Sequence, residues 1–83
     1  MKIGDIVTIT TDHVYGVDGY YPVHMETGVI VSYDDETKQY QIVTCNPASD
    51  EWWFTEDEFR LATDEEVKAR LRFAVNRYYR YKI

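Results

Sequence analysis

Thr27-Gly28-Val29-Ile30-Val31-Ser32-Tyr33, then Asp34-Asp35-Glu36-Thr37-Lys38, then Gln39-Tyr40-Gln41-Ile42-Val43-Thr44 is the stretch that decides the fold. Both arms are rich in β-branched and aromatic residues, which suit a pleated, half-buried surface. The five polar residues between them form a hairpin loop, so the arms are two neighbouring antiparallel strands. Toward the N-terminus, Asp5-Ile6-Val7-Thr8-Ile9-Thr10 alternates and is β-branched, giving another strand. Toward the C-terminus, Asn46-Pro47-Ala48-Ser49-Asp50 is a turn cluster, followed by a short strand, Trp52-Trp53-Phe54. Thr55-Glu56-Asp57-Glu58 then forms a single helical turn that drops Phe59 inward before a last extended piece, Arg60 to Ala62. Residues 11–25, with Gly16, Gly19 and Pro22, are expected to be a long loop. Five short strands of this kind predict a mainly β fold, a small five-stranded antiparallel barrel. Closure would remove the exposed strand edges.

The tail follows a different period. Thr63-Asp64-Glu65-Glu66 fits a capping box, in which the Thr63 hydroxyl and the Glu66 carboxylate each satisfy an orphan amide. Val67, Leu71, Ala74, Val75 and Tyr78 recur at helical spacing, so an amphipathic helix is expected from about Asp64 to Tyr81. The chain therefore divides into a barrel over 1–62 and a helix over 63–83 packed upon it, a single domain overall. Eighty-three residues is one domain's worth of chain, and nothing in it argues for two.

Charge is distributed unevenly. Residues 1–66 carry all fifteen carboxylates against Lys2, Lys38 and Arg60, a net of −12, whereas residues 67–83 carry six cations and no acid. Such asymmetry marks a contact surface or a polyelectrolyte partner, or else a basic helix neutralising an acidic body. The longest run without charge, Gln39 to Ser49, is far short of the roughly 20 apolar residues of a membrane helix. Lys2 and Asp5 leave no apolar leader, and the single Cys45 cannot form an internal disulfide. The expectation is a soluble, cytoplasmic protein.

Several segments then resemble a known family. Ile3-Gly4-Asp5-Ile6-Val7 is similar to the "G-D-x-V" opening of Src-homology-3-like small barrels of the bacterial and translational type, and Thr27 to Asp34 is similar to their "x-G-x-V-x-x-x-D" second strand. Tyr40-Gln41-Ile42-Val43 and Trp52-Trp53-Phe54, with Glu58-Phe59 beyond, resemble the close of that barrel. The resemblance covers about residues 2–62 and concerns the fold, since the family includes peptide binders, nucleic-acid binders and bracing subunits. In members with a peptide groove, the long loop lines one wall, which here places Tyr15, Tyr20, Tyr21 and Pro22. The "A-L-Y-D-Y" segment of polyproline binders is missing.

Catalytic chemistry has little support. His13, His24 and Cys45 lack the paired spacing of a zinc site, and the chain carries no glycine-rich phosphate loop. Loop histidines and a buried thiol are the simpler reading. No metal, cofactor or enzymatic activity is expected. Trp52 and Trp53 are consecutive on a strand and point to opposite faces; Phe54 shares the Trp52 face, so Trp53 is expected to be the exposed one. On the helix, Arg70, Phe73, Arg77 and Arg80 fall within about 80° of one another, on a face distinct from the apolar stripe. Such a face suits an acidic protein groove or a phosphate backbone.

The candidate binding residues are therefore Arg70, Phe73, Arg77, Arg80, Trp53, Tyr20 and Tyr21. The reading they support is a non-enzymatic protein-interaction module. By analogy with small acidic barrels of phages and mobile elements, it would bind another protein and inhibit a host complex such as a nucleic-acid-handling defence system. The alternative is a nucleic-acid binder using the basic helix and the exposed rings. Its contact would be confined to the helix, because the acidic body repels a polyanion.

Overall fold

Alternation along short strands builds the core. The computed structural model describes residues 1–17 and 19–69. Seven strands follow in chain order: β1 (Ile6–Ile9), β2 (His13–Gly16), β3 (Gly19–Pro22), β4 (Thr27–Asp34), β5 (Gln39–Val43), β6 (Trp53–Thr55) and β7 (Phe59–Leu61). Five of them make one antiparallel sheet in the order β6-β5-β4-β1-β7. Val7 and Ile9 from β1, Ile30, Ile42, Phe54 and Phe59 from the other strands, and Trp52 just before β6 meet in one buried cluster. Val29 and Val43, opposite each other in register and also buried, stand outside that cluster. Between Ile30 and Ser32 the β4–β5 register shifts by one residue. This bulge bends the ribbon, and beyond it Tyr33 and Tyr40 pair, with Tyr40 reaching the ring of Phe59. Burial, and then the nearby Glu56 and Tyr33, push the Tyr40 hydroxyl above its ordinary pKa.

Closure into a barrel is not found. Strands β6 and β7, at the two ends of the sheet, are not paired with each other. A 3-10 turn, Glu56–Glu58, carries the chain between them, and its neighbouring backbone groups are committed elsewhere. Thr55 N donates to Glu58 Oε1 (2.8 Å), while Thr10 N donates to Glu58 O (2.8 Å). Those bonds cap the turn and tie it to β1 without closing a ladder.

Residues 11–25 also depart from expectation. They are not an irregular loop but a two-stranded ribbon, β2 on β3, with His13↔Pro22, Val14↔Tyr21, Tyr15↔Tyr20 and Gly16↔Gly19 in register. The ribbon docks by its inner face, since Val14 and Val23 are buried and Tyr21 packs on Trp52 with ring centroids 5.4 Å apart. Gly16 eases that approach, because a Cβ there would stand 3.1 Å from Tyr21 and 3.3 Å from Trp52, and those rings would have to give by a few tenths of an ångström. The Asn46–Asp50 cluster becomes a 3-10 turn, Pro47–Glu51, capped by the Asn46 side chain on Ala48 N. Cys45 is exposed in the bend before it, so the expected buried thiol is corrected.

The tail starts as the sequence requires. Helix α1 is described over 64–69, and Thr63 and Glu66 form both capping-box bonds: Thr63 N to Glu66 Oε1 (2.8 Å) and Glu66 N to Thr63 Oγ1 (3.2 Å). The rest of the expected helix, to Tyr81, lies outside the described residues. No helix among the described residues is long and apolar enough to cross a membrane.

Candidate functional site

A groove of about 420 Å³ lies between the β2–β3 ribbon and the β5–β6 end of the sheet. From the ribbon it takes His13, Val14 and Tyr15. Gln39 and Trp53 come from the sheet, and Glu51 and Glu58 from the two 3-10 turns. The positions of Trp53 and Tyr15 follow from strand alternation. Trp53 is set apart from Trp52 and Phe54 by strand alternation: those two are fully buried, and Trp53 is half-buried. Tyr15, 78% exposed, projects from the face of the ribbon opposite Val14. It does not stand alone. Tyr20, its cross-strand partner, lies 4.4 Å from the Tyr15 ring and stacks on His13 at 4.5 Å with an interplanar angle of 13°. Three rings thus form one exposed aromatic surface beside the groove, the kind of cross-strand pairing that fixes side-chain direction.

The groove's polarity is one-sided. Glu51 is exposed and Glu58 half-buried, and among the described residues no lysine or arginine lines the groove. Aromatic rings beside carboxylates suit a cationic side chain, which gains both Coulomb attraction and the face of a ring. The described lining residues include no serine, threonine, cysteine or lysine. His24 is held apart from the groove, its Nδ1 3.1 Å from Thr10 O and 3.6 Å from Asp12 Oδ1.

Of the residues singled out from sequence, Trp53 lines the groove and Tyr20 stacks behind it. Tyr21 turns inward onto Trp52 and works as a packing residue of the ribbon. Arg70, Phe73, Arg77 and Arg80 lie outside the described residues. His13, Glu51 and Glu58 were not among the sequence candidates for binding, and Tyr15 entered only as part of the long loop that the family resemblance set along a groove wall. The signal for His13 and Tyr15 was present in the His13-Val14-Tyr15 alternation, polar or aromatic around one apolar residue, which reads as a strand with an outward-facing pair. Glu51 and Glu58 carry no local signal, since only the fold brings the two turns to one groove.

Among known proteins, no family model, no curated relative and no solved structure matches this chain.

Proposed function

We propose that this chain is a non-enzymatic protein-interaction module, and that the groove between the ribbon and Trp53 is its working surface. The observation that carries the reading is the gathering of Tyr15, Trp53 and His13 with Glu51 and Glu58 in one groove, with no lysine or arginine among its described lining residues. Aromatic side chains offer large contact area at low rotamer cost and are over-represented at binding hot spots. The open five-stranded sheet, the long first connection and the one-turn helix before the last strand support an Src-homology-3-like architecture for residues 1–62. In this reading the protein is a soluble accessory factor, of the kind phages and mobile elements use to bind and inhibit a host complex. The helix face of Arg70, Phe73, Arg77 and Arg80 is a proposed second contact surface.

The nucleic-acid alternative is weakened by the groove's own charge, because Glu51 and Glu58 repel a phosphate backbone. Any such contact falls to the helix arginines. The test is affinity capture from a lysate by the full chain and by a Tyr15→Ala/Trp53→Ala variant, with nuclease-treated and untreated samples. Loss of captured protein in the variant, unaffected by nuclease, supports the reading. Equal capture by both chains removes the groove from consideration, and capture abolished by nuclease favours the alternative.

A further inference from the structure

His13, Val14 and Tyr15 all line the groove, although they are consecutive on one strand, and no residue of β3 joins them. Side chains alternate between the faces of a strand, so three in a row border one space only where the strand turns its edge toward it. The hydrogen-bond pattern gives the groups on that edge. Val23 N donates to Asp12 O at 2.9 Å, continuing the β2–β3 register by one pair. Bonded and non-bonded pairs alternate in an antiparallel ladder, so Val14 faces Tyr21 in a bonded pair, while His13 and Tyr15 turn their N–H and C=O groups away from β3. Pro22, which has no N–H, sits opposite His13, where the ladder needs none. Among the described residues, no backbone group bonds to His13 or Tyr15 on that outer side.

Trp53 presents its backbone in the same way across the groove. Ile30 uses its N–H on Asp5 O and its C=O on Gly4 N, so Ile42 opposite it turns its main chain toward β6; alternation along β5 then makes Tyr40 and Phe54 the bonded pair, and the main chain of Trp53 points outward. Edges of this kind are templates for another strand unless they are covered or charged.

We propose that the groove takes an extended, lysine- or arginine-bearing segment of a partner protein, which adds to the outer edge of β2 as a further strand. The inference rests on the reading of the groove as the binding surface and adds the mode and chemistry of the ligand. His13 and Tyr15 are two residues apart, the repeat of a strand, so a partner's alternate residues meet their free N–H and C=O groups. Main-chain bonds supply affinity in this mode, and pockets for alternate side chains supply selectivity. Glu51 and Glu58 set that selectivity toward cations, with the Tyr15 and Trp53 rings beside them.

The test pans random dodecapeptides displayed on phage against the full chain, then titrates the enriched peptides into 15N-labelled protein. The expected result is enrichment of Lys or Arg at alternate positions, with the largest amide shifts at His13, Tyr15 and Trp53. N-methylation of the peptide at alternate positions facing β2 should lower affinity tenfold or more. Methylation at the intervening positions should change it less than twofold. Groove shifts with equal tolerance of methylation at every position would sink the added strand while leaving the groove as a binding surface. Enrichment of acidic or uncharged peptides that shift the groove amides would overturn the cationic selectivity in the same limited way. If no enriched peptide shifts those amides, the strand and the reading beneath it fall together.

Discussion

Glu66 holds the first turn of α1 to the sheet through Arg60. Arg60 Nη2 donates to Glu66 Oε2 at 2.8 Å and Arg60 Nη1 to Oε1 at 2.9 Å, the paired geometry that makes guanidinium–carboxylate contacts strong. Oε1 also accepts from Thr8 Oγ1 at 2.9 Å and from Thr63 N at 2.8 Å. One carboxylate therefore joins β1, β7 and the helix start. The Arg60 hydrogen bonds come first among the causes that hold the Glu66 carboxyl down at about 2, followed by the Thr63 amide, and the same bond raises Arg60.

The first prediction is a pH dependence. An acid whose pKa falls on folding adds stability above its unfolded value, here 4.5, and loses that contribution as pH drops toward about 2. Urea unfolding of the wild type should therefore show a midpoint that declines as pH falls between about 4.5 and 2. Glu66→Gln, which cannot titrate, should start lower at neutral pH and decline less over that window. Parallel curves for the two proteins would show that Glu66 is not the linking group.

How much of this was legible in the sequence depends on the range of each contact. Strand alternation around Val7, Ile9, Ile42 and Phe54 is local, and so is the Thr63–Glu66 capping box; both could be read directly. The burial of Trp52 with Phe54 followed from counting faces. By contrast, Arg60 and Thr8 meet Glu66 from positions 6 and 58 residues away, and no local pattern announces that meeting. The β2–β3 ribbon was hidden because its strands are four residues each, with exposed rings outward and a glycine at each side of the turn, a composition that also reads as loop. The groove needed both the ribbon and the two 3-10 turns to be placed before it existed at all.

The two tryptophans should behave oppositely. Trp52 is fully buried among core residues, so Trp52→Ala should cost about 3–5 kcal/mol, by loss of transfer energy and creation of a cavity. Trp53→Ala should cost about 1 kcal/mol or less, as for a partly exposed side chain outside the core, yet abolish most partner capture. Thermal unfolding and capture of both variants give the comparison. A Trp53 variant as unstable as the Trp52 one would return that ring to the core.

Gly28 offers a steric test of the β4–β5 pairing. A Cβ at this position would lie 2.7 Å from the Val43 carbonyl oxygen and 2.7 Å from Ile42 Cγ2. The first is backbone and cannot swing aside, so the neighbouring strand must shift. Gly28→Ala should destabilise the protein by about 1–3 kcal/mol, the usual range for an overpacked interior. An unchanged denaturation midpoint would mean that the two strands are not as close as this.

Tyr20 should act on the groove without lining it. Its ring lies against both His13 and Tyr15, and it is 53% exposed, so it adds little to the core. Removing it frees the rotamers of two groove residues, which then must be ordered again when a partner binds. Tyr20→Ala should shift stability by about 1 kcal/mol or less, since surface changes away from caps and cores are small. Affinity for a groove ligand should nevertheless fall by about threefold to tenfold, on the scale of one or two reordered side chains. Tyr20→Phe keeps the ring and should restore most of that loss, which separates ring stacking from any contribution of the hydroxyl. Titration of one groove-binding peptide into the three proteins decides the matter. Equal affinities throughout would show that Tyr15 and His13 are held by the ribbon alone, and Tyr20 would then have no part in the site.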